Sequence, residues 1–243
     1  MGRAFEFRKG RKLKRWGQMS KTFSRIGKDI VVAIRAGGPN PESNGKLRAI
    51  IQNAKAVNMP KENIERALKK AVAKDTADYK EIVYEGYGPH GIAVVVECTT
   101  DNPVRTVAGV RSAITRAGGS LGTSGMLDFM FDRKCVFHIT AGSTDAEELE
   151  LEMIDVGADE VFAEEDQIVI YGGFTEFGHI QQYLESNNYQ VISSGFERIP
   201  TELKDLTPDQ EKDIEKMIEK LEDDDDVQMV YHNMRESGEG EGE

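Results

Sequence analysis

The amino-terminal part of the chain alternates apolar and polar residues at the spacing of amphipathic helices. One apolar stripe recurs every three or four residues, through Met19, Phe23, Ile26, Ile30 and Ile34, which places these side chains on one face of a helix. Gly37-Gly38-Pro39 ends that helix, since glycine and proline do not continue it. Shorter stripes over 47–54 and 60–72 predict two further helices. The pattern therefore predicts a small three-helix module.

From about residue 79 the pattern changes to short apolar runs typical of β-strands, separated by helices. Strands at 81–85 and 92–98, joined by a glycine-rich turn, precede a helix at 102–117 and a strand at 126–131. The residues that follow predict the ferredoxin-like order β-α-β-β-α-β. Its elements are strand 135–139, helix 144–155, strands 160–163 and 167–171, helix 175–186 and strand 190–194.

A last helix begins at Thr207-Pro208, and a last strand covers 227–231. Residues 79–134 lack one helix and one strand of the same motif, so we expect the carboxyl-terminal segment to return and complete it. The predicted fold class is α+β multi-domain: an amino-terminal three-helix module followed by two ferredoxin-like α/β domains, the last one inserted into the second. The expected parts are a flexible basic arm (1–18), a helical basic domain (19–76), an α/β domain in two pieces (79–134 plus 200–235), an acidic α/β domain (135–199) and a disordered tail (236–243).

Charge is distributed very unevenly along the chain. The net charge is −12, yet residues 1–74 contain 19 Lys and Arg against five Asp and Glu, a net of +14. The remaining residues carry a net of −26. A basic module joined to acidic modules predicts a polyanionic partner for the basic end, because the positive potential is concentrated there.

The arm and the first helix supply the candidate nucleic-acid contacts. The arm interleaves cations with aromatic residues, which offers phosphate neutralisation and stacking surfaces. On the first helix, cations at helical spacing lie opposite the apolar stripe, so we expect one face to pack and the other to present charge. The predicted contacts are Arg8, Lys9, Arg11, Lys12, Lys14, Arg15 and Trp16 in the arm, and Lys21, Arg25 and Lys28 on the helix.

Residues 135–197 contain no Lys or Arg but 14 Asp and Glu. This surface repels a phosphate backbone. Plain solvation explains such a surface, and docking of a basic protein partner or folding of this surface over the basic arm are the alternatives.

Catalysis, metals and cofactors find little support in the sequence. The four histidines are scattered, the two cysteines are far apart and outside any CxxC spacing, and no nucleophile elbow or Walker pattern is present. Gly86-x-Gly88-x-x-Gly91 is followed by a strand rather than a helix, so it predicts a hairpin and not a dinucleotide site. Gly118–Gly125 offers backbone N–H groups to a phosphate, although a plain loop is the simpler interpretation. We expect no catalytic residue, no metal, no cofactor and no small-molecule substrate.

The sequence also gives no sign of membrane insertion or export. No apolar run approaches the roughly 20 residues of a membrane span, and the cations of the amino terminus are not followed by an apolar segment. We therefore expect a cytoplasmic protein without membrane contact.

Several long motifs resemble the YebC family. They are Asn58-Met59-Pro60-Lys61-Glu62-Asn63-Ile64-Glu65-Arg66-Ala67, Tyr84-Glu85-Gly86-Tyr87-Gly88-Pro89, Glu97-Cys98-Thr99-Thr100-Asp101-Asn102 and Gly118-Gly119-Ser120-Leu121-Gly122-Thr123. The resemblance covers about residues 20 to 235. The first residues differ from the family's usual Gly-His-Ser-Lys-Trp pattern, so the arm contacts rest on charge and not on the resemblance.

The resemblance implies three domains and a role in gene expression. Bacterial members are described as DNA-binding transcriptional regulators, while mitochondrial relatives are similar to translational activators. The sequence therefore predicts a non-catalytic, nucleic-acid-binding regulator of gene expression, in the first place a DNA-binding transcriptional regulator. The alternatives are a translation factor that binds RNA or the ribosome, a protein–protein adaptor, and an enzyme of nucleic-acid metabolism, for which no motif is present.

Overall fold

The computed structural model describes residues 19–73 and 78–235, with side chains from Lys21 onward. The expected arm and tail lie outside these residues. The helices are α1 (Met19–Gly37), α2 (Gly45–Ala56), α3 (Lys61–Val72), α4 (Pro103–Arg116), α5 (Ala146–Ile154), α6 (Phe177–Ser186) and α7 (Pro208–Glu222). The strands are β1 (Lys80–Tyr87), β2 (Ala93–Thr100), β3 (Ser120–Leu121), β4 (Phe131–Thr140), β5 (Ala158–Glu164), β6 (Gln167–Gly173), β7 (Val191–Pro200) and β8 (Val227–His232).

The three predicted amino-terminal helices are confirmed, and they enclose their own apolar core. Ile30, Leu47 and Ile64 are among the buried side chains where α1, α2 and α3 meet. Asn44 joins α1 to α2: its Oδ1 accepts the N–H of Leu47 at 3.0 Å, and its Nδ2 donates to the carbonyl of Ala33 at 2.8 Å. The Asn44 side chain thus caps α2 and fixes its start against the end of α1.

The first sheet has the strand order β3-β1-β2-β8, and all its pairs are antiparallel. Helices α4 and α7 pack on one face, where Val94, Ile114 and Met217 are buried. Strand β8 pairs with β2, so the carboxyl-terminal segment returns to complete this sheet, as predicted. Along the chain, the elements of this sheet are β1, β2, α4 and β3, followed after the second sheet by α7 and β8.

The second sheet has the order β5-β6-β4-β7 and is also entirely antiparallel. Its chain order is β4-α5-β5-β6-α6-β7, which is the predicted split β-α-β arrangement. Phe137, Leu149, Ile170 and Ile180 are buried between this sheet and its two helices. The α+β class with two antiparallel four-stranded sheets is therefore confirmed.

The predicted strand at 126–131 is wrong. Asp128–Met130 forms a short 3-10 turn, and the strand beside β1 is the two-residue β3. The Glu85 carboxylate accepts the N–H groups of Gly125 at 2.9 Å and Leu127 at 2.7 Å, which holds the segment in a turn. The apolar residues that suggested a strand are explained by the burial of Leu127 and Phe131 under the helix-free face of the first sheet.

The second sheet lies between β3 and α7 in the sequence, so it interrupts the first sheet. Strand β4 begins at Phe131 and β7 ends at Pro200. Both strands extend across the predicted domain boundaries near residues 134 and 199. The exact division of the chain into domains therefore stays a proposal.

Candidate nucleic-acid interface

The predicted contacts fall into two groups. Arg8, Lys9, Arg11, Lys12, Lys14, Arg15 and Trp16 lie outside the described residues. Lys21, Arg25 and Lys28 lie on α1, one helical turn apart, as their spacing predicted. All three face the last residue of α7 and the four acidic residues that follow it. We call this segment, Glu222–Asp226, the acidic turn.

The first two cations contact the carboxyl-terminal end of α7. The Lys21 ammonium lies 2.8 Å from Oδ1 of Asp223, and the Arg25 guanidinium donates to the carbonyl of Glu222 at 3.1 Å. The pKa of Asp223 is lowered by the hydrogen bond from Lys21 and by its charge. A helix carboxyl terminus carries partial negative charge, which favours cations at this position.

Lys28 reaches deepest into the acidic turn. Its ammonium donates to Oδ1 of Asp226 and to the carbonyl of Asp225, both at 2.7 Å, and to the carbonyl of Thr99 at 3.2 Å. The side chains of Lys28 and Asp226 are only 11% and 5% exposed. Such a buried pair is held firmly only where further hydrogen bonds complete it.

Asp226 is the centre of this network. Its Oδ2 accepts hydrogen bonds from Arg105 at 2.6 Å, Thr106 at 2.9 Å and Thr100 at 3.0 Å. Burial alone would raise the pKa of this carboxyl, but hydrogen bonds from Lys28, Arg105 and the threonines outweigh it and hold the pKa well below its ordinary value. Asp226 is therefore ionised at neutral pH and joins α1 to the first sheet.

The expectation that α1 presents its cations to solvent is thus wrong for this arrangement of the chain. Lys21 and Lys28 pair with carboxylates of the acidic turn, and Arg25 donates to its backbone. A phosphate would compete with these contacts for the three groups, and their role as phosphate contacts stays a prediction.

Other cations of the helical module are exposed, and sequence reasoning missed them. Lys61, Arg66, Lys69 and Lys70 lie on the exposed side of α3. One ion pair along α3 joins Lys61 to Glu65 at 3.9 Å. The signal that would have found them is the excess of cations over acids along α3.

A shallow groove separates α1 from α3 beside these cations. Its volume is about 260 Å³, and its lining is mostly apolar. The residues that line it are Phe23, Ser24, Gly27, Met59, Asn63, Arg66, Ala67 and Lys70. None of them is acidic, so an anionic ligand meets no like charge in the lining.

The first glycine-rich loop forms the predicted hairpin, and the second is held by contacts with Glu85. Gly86–Gly91 joins β1 to β2 through a 3-10 turn at Pro89–Gly91. In Gly118–Gly125, the Gly122 N–H donates to the Glu85 carbonyl at 2.8 Å, and the Gly125 N–H is bound by the Glu85 carboxylate. The anion held by this loop is therefore Glu85 itself.

The nucleophilic side chains are poorly placed for catalysis. Cys98 and Cys135 are buried, and burial raises the pKa of the two thiols to about 12 and about 11 respectively. His90 contacts Asp213 at 3.1 Å, and His179 contacts Glu176 at 2.8 Å, both near the surface. Among the described residues, no group of three or more His, Cys, Asp or Glu side chains is arranged to hold a metal ion.

The helical module also contacts the second sheet. Asn53 of α2 forms two hydrogen bonds with the backbone of Ser194 in β7, at 2.7 and 2.9 Å. Arg48 lies 3.1 Å from the Glu185 carboxylate of α6. Since β7 is an edge strand, α2 covers part of an otherwise open sheet edge.

Two family descriptions cover nearly the whole chain. "TACO1/YebC protein N-terminal domain" matches residues 3–74, and "TACO1/YebC second and third domain" matches residues 79–234. The chain belongs to the TACO1/YebC family. The resemblance noted in the sequence motifs is thereby confirmed.

Relatives within the TACO1/YebC family match nearly the full length of the chain. A protein of Flavobacterium psychrophilum is 61% identical over 97% of this chain and 100% of its own length, and one of Parabacteroides distasonis is 60% identical over 97% and 98%. Both are named probable transcriptional regulatory proteins. A crystal structure of a conserved hypothetical protein from Aquifex aeolicus superposes with a TM-score of 0.76 at 38% identity, covering 90% of this chain and 91% of that one.

In this TACO1/YebC chain, the acidic stretch predicted from sequence lies in the second sheet and its helices. Residue Asp145 caps α5, where its carboxylate accepts the N–H of Glu147 at 2.8 Å. Lys134, just before the stretch, pairs with Asp159 at 2.7 Å. No helix within 19–73 or 78–235 is long and apolar enough to cross a membrane.

Proposed function

We propose that this protein is a non-catalytic, cytoplasmic regulator of gene expression that binds nucleic acid, in the first place DNA, through its basic arm and helical module. The observation that carries the proposal is the net charge of +14 on residues 1–74, against −26 on the rest. A polyanion is attracted only to the basic end. The names of the bacterial relatives as probable transcriptional regulatory proteins support the same role.

A binding role without catalysis is supported by the chemistry of the described residues. Both thiols are buried. The carboxylates with the most contacts, Glu85 and Asp226, accept hydrogen bonds that hold a loop or an interdomain joint. The described contacts of both carboxylates are thus structural.

The acidic second sheet would face away from the nucleic acid. Because residues 135–197 contain no Lys or Arg, the stretch is suited to a basic protein partner rather than to phosphate. Ribosomal RNA is the alternative target of the basic end. A comparison of the affinities for DNA and for ribosomal RNA distinguishes the two targets.

The proposal predicts a steep dependence of binding on salt. Fluorescence anisotropy with labelled duplex DNA and with a ribosomal RNA fragment should give log affinities that fall linearly with log salt, by about 0.9 per phosphate neutralised on duplex DNA. The triple change Arg11→Glu, Lys12→Glu and Arg15→Glu should weaken binding at least tenfold and flatten the slope. Both effects follow from the loss of counterion release.

A matched control changes the same number of charges elsewhere. Lys212, Lys216 and Lys220 are exposed on α7, and their replacement by Glu should leave affinity within about twofold. If both triple variants lost the same affinity, the effect would come from the net charge of the protein and not from the position of the cations. A salt-independent affinity, or no binding to either ligand, would contradict the proposed function.

A further inference from the structure

We infer that the groove between α1 and α3 is a binding site for an unpaired nucleotide, with the base on Phe23 and the phosphate on Arg66. The inference rests on the proposed function and adds to it the state of the nucleic acid that is bound. It concerns residues outside the set predicted from the sequence.

The floor of the groove is suited to a flat, apolar body. Phe23 and Met59 line it together with Gly27 and Ala67. Phe23 is only partly buried, so part of its surface remains accessible above the helical core. Stacking of a base on an aromatic side chain is a common source of affinity for single strands, because every base has an aromatic face.

Gly27 is an unusual residue for this position. It lies inside α1, where glycine costs about 1 kcal/mol relative to alanine. A Cβ built on Gly27 would have no atom within 4 Å, so packing within the described residues does not require a glycine here. The missing side chain leaves the groove open above the α1 backbone, which allows a ligand to approach closely.

The rim supplies the polar contacts that a nucleotide needs. Arg66 is exposed and forms no ion pair with a described carboxylate, so its guanidinium is available to a phosphate. Ser24 and Asn63 offer a hydroxyl and an amide beside the apolar floor. An aliphatic ligand would use the floor alone and a simple polyanion the rim alone, whereas a nucleotide uses both.

The position of the groove agrees with this occupant. The cations of α1 that meet the acidic turn lie at positions 21, 25 and 28, whereas Phe23 and Gly27 line the groove. The first residue that lines the groove is Phe23, in the second turn of α1, so the groove is close in sequence to the proposed basic arm. A strand held by the arm can therefore continue into the groove without displacing the acidic turn.

Pairing controls access to this site. A base can enter the groove only when it is unstacked and unpaired, as in single strands, loops and melted duplexes. We therefore expect the full-length protein to prefer a labelled single strand of about 12 nucleotides over a duplex of the same sequence. Separate DNA and RNA strands distinguish the two sources of the nucleotide.

Three changes in the full-length protein test the groove. Phe23→Leu keeps an apolar side chain but removes the ring, Gly27→Leu fills the groove, and Arg66→Glu reverses the charge of the rim. Each should weaken single-strand binding about tenfold, and Gly27→Leu should do so without lowering the melting temperature, since leucine favours a helix over glycine. Phe129→Leu and Arg111→Glu, at exposed sites of the first-sheet region, serve as matched controls and should bind like the wild type.

The outcomes separate this inference from the proposed function. If the arm triple weakens binding but the three groove variants do not, the groove inference is wrong and the proposed function stands. Equal binding of an abasic strand, or equal competition by polyglutamate, would show a site for any anion and overturn the inference. The stability of Phe23→Leu gives a further check, in the full-length chain and in a chain that starts at Met19. If the change lowers stability only in the full-length chain, the groove binds the chain's own arm and the inference is overturned.

Discussion

Asp29 illustrates how one residue of α1 depends on the elements packed around it. Burial, together with the nearby Glu81 carboxylate, raises its pKa from 3.8 to about 7, although Lys46, Lys28 and Arg25 act in the opposite direction. At a pH between the ordinary pKa of 3.8 and the raised pKa of about 7, the folded chain binds more protons at Asp29 than the unfolded chain. The contribution of Asp29 to stability therefore falls as pH rises from about 4 to 7.

Asp29→Asn should consequently stabilise the protein at alkaline but not at acidic pH. We expect the free energy of unfolding to rise by about 2 kcal/mol at pH 8 and to change little at pH 4, since asparagine does not ionise. Urea unfolding at both pH values measures this difference. Glu150→Gln, at an exposed position of α5, controls for the loss of one carboxylate. A destabilisation by Asp29→Asn at pH 8 would show that the ionised carboxylate has a favourable partner.

At the scale of residues, the sequence indicated the α1 cations but not their partners. The spacing of Lys21, Arg25 and Lys28 correctly predicted one helical face. Their contacts with the acidic turn join residues about 200 positions apart, at separations that local periodicity does not detect. For the same reason the pattern missed the Glu85 contacts in the Gly118–Gly125 loop.

At the scale of elements, two glycines permit the close pairing of β1 with β3. A Cβ on Gly119 would lie 2.3 Å from the carbonyl oxygen of Tyr87, and a Cβ on Gly86 would lie 2.4 Å from that of Ser120. Both obstacles are backbone atoms, which cannot rotate away. The short strand β3 can therefore approach the edge of the sheet only where side chains are absent.

Gly119→Ala should separate β3 from β1 and destabilise the protein by about 1–3 kcal/mol, the usual range for overpacking. Thermal unfolding followed by circular dichroism measures the loss. Gly178→Ala in α6 is the matched control, because no atom lies within 4 Å of its Cβ position and alanine favours a helix. Equal melting temperatures for Gly119→Ala and the wild type would show that the contact relaxes at no cost.

Elements with strong periodicity could be predicted, and those shaped by distant contacts could not. The helices of the amino-terminal module and the β-α-β-β-α-β order of the second sheet follow from spacing alone. The strand predicted at 126–131 failed because Glu85 holds the segment in a turn, in which Leu127 and Phe131 are buried against the first sheet while Phe129 is exposed. Strand β3 was missed because two residues are too few to show a pattern.

At the scale of the whole molecule, the helical module contacts both sheets. The Lys28–Asp226 pair joins it to the first sheet, and Asn53 joins it to β7 of the second. The sequence left open, as one alternative to plain solvation, that the acidic stretch 135–197 folds over the basic arm, and this stays untested. Among the described residues, the acidic group in contact with Lys21, Arg25 and Lys28 of α1 is the turn at 222–226, whereas the cations of α3 are exposed.

Photo-cross-linking of labelled single-stranded and duplex nucleic acid to the full-length protein tests the central claim most directly. Peptide mapping by mass spectrometry then locates each cross-link along the chain. The account predicts cross-links within residues 1–73, with those of single strands including α1 and α3 at the groove. Cross-links concentrated in residues 131–200, on the acidic second sheet, would contradict it.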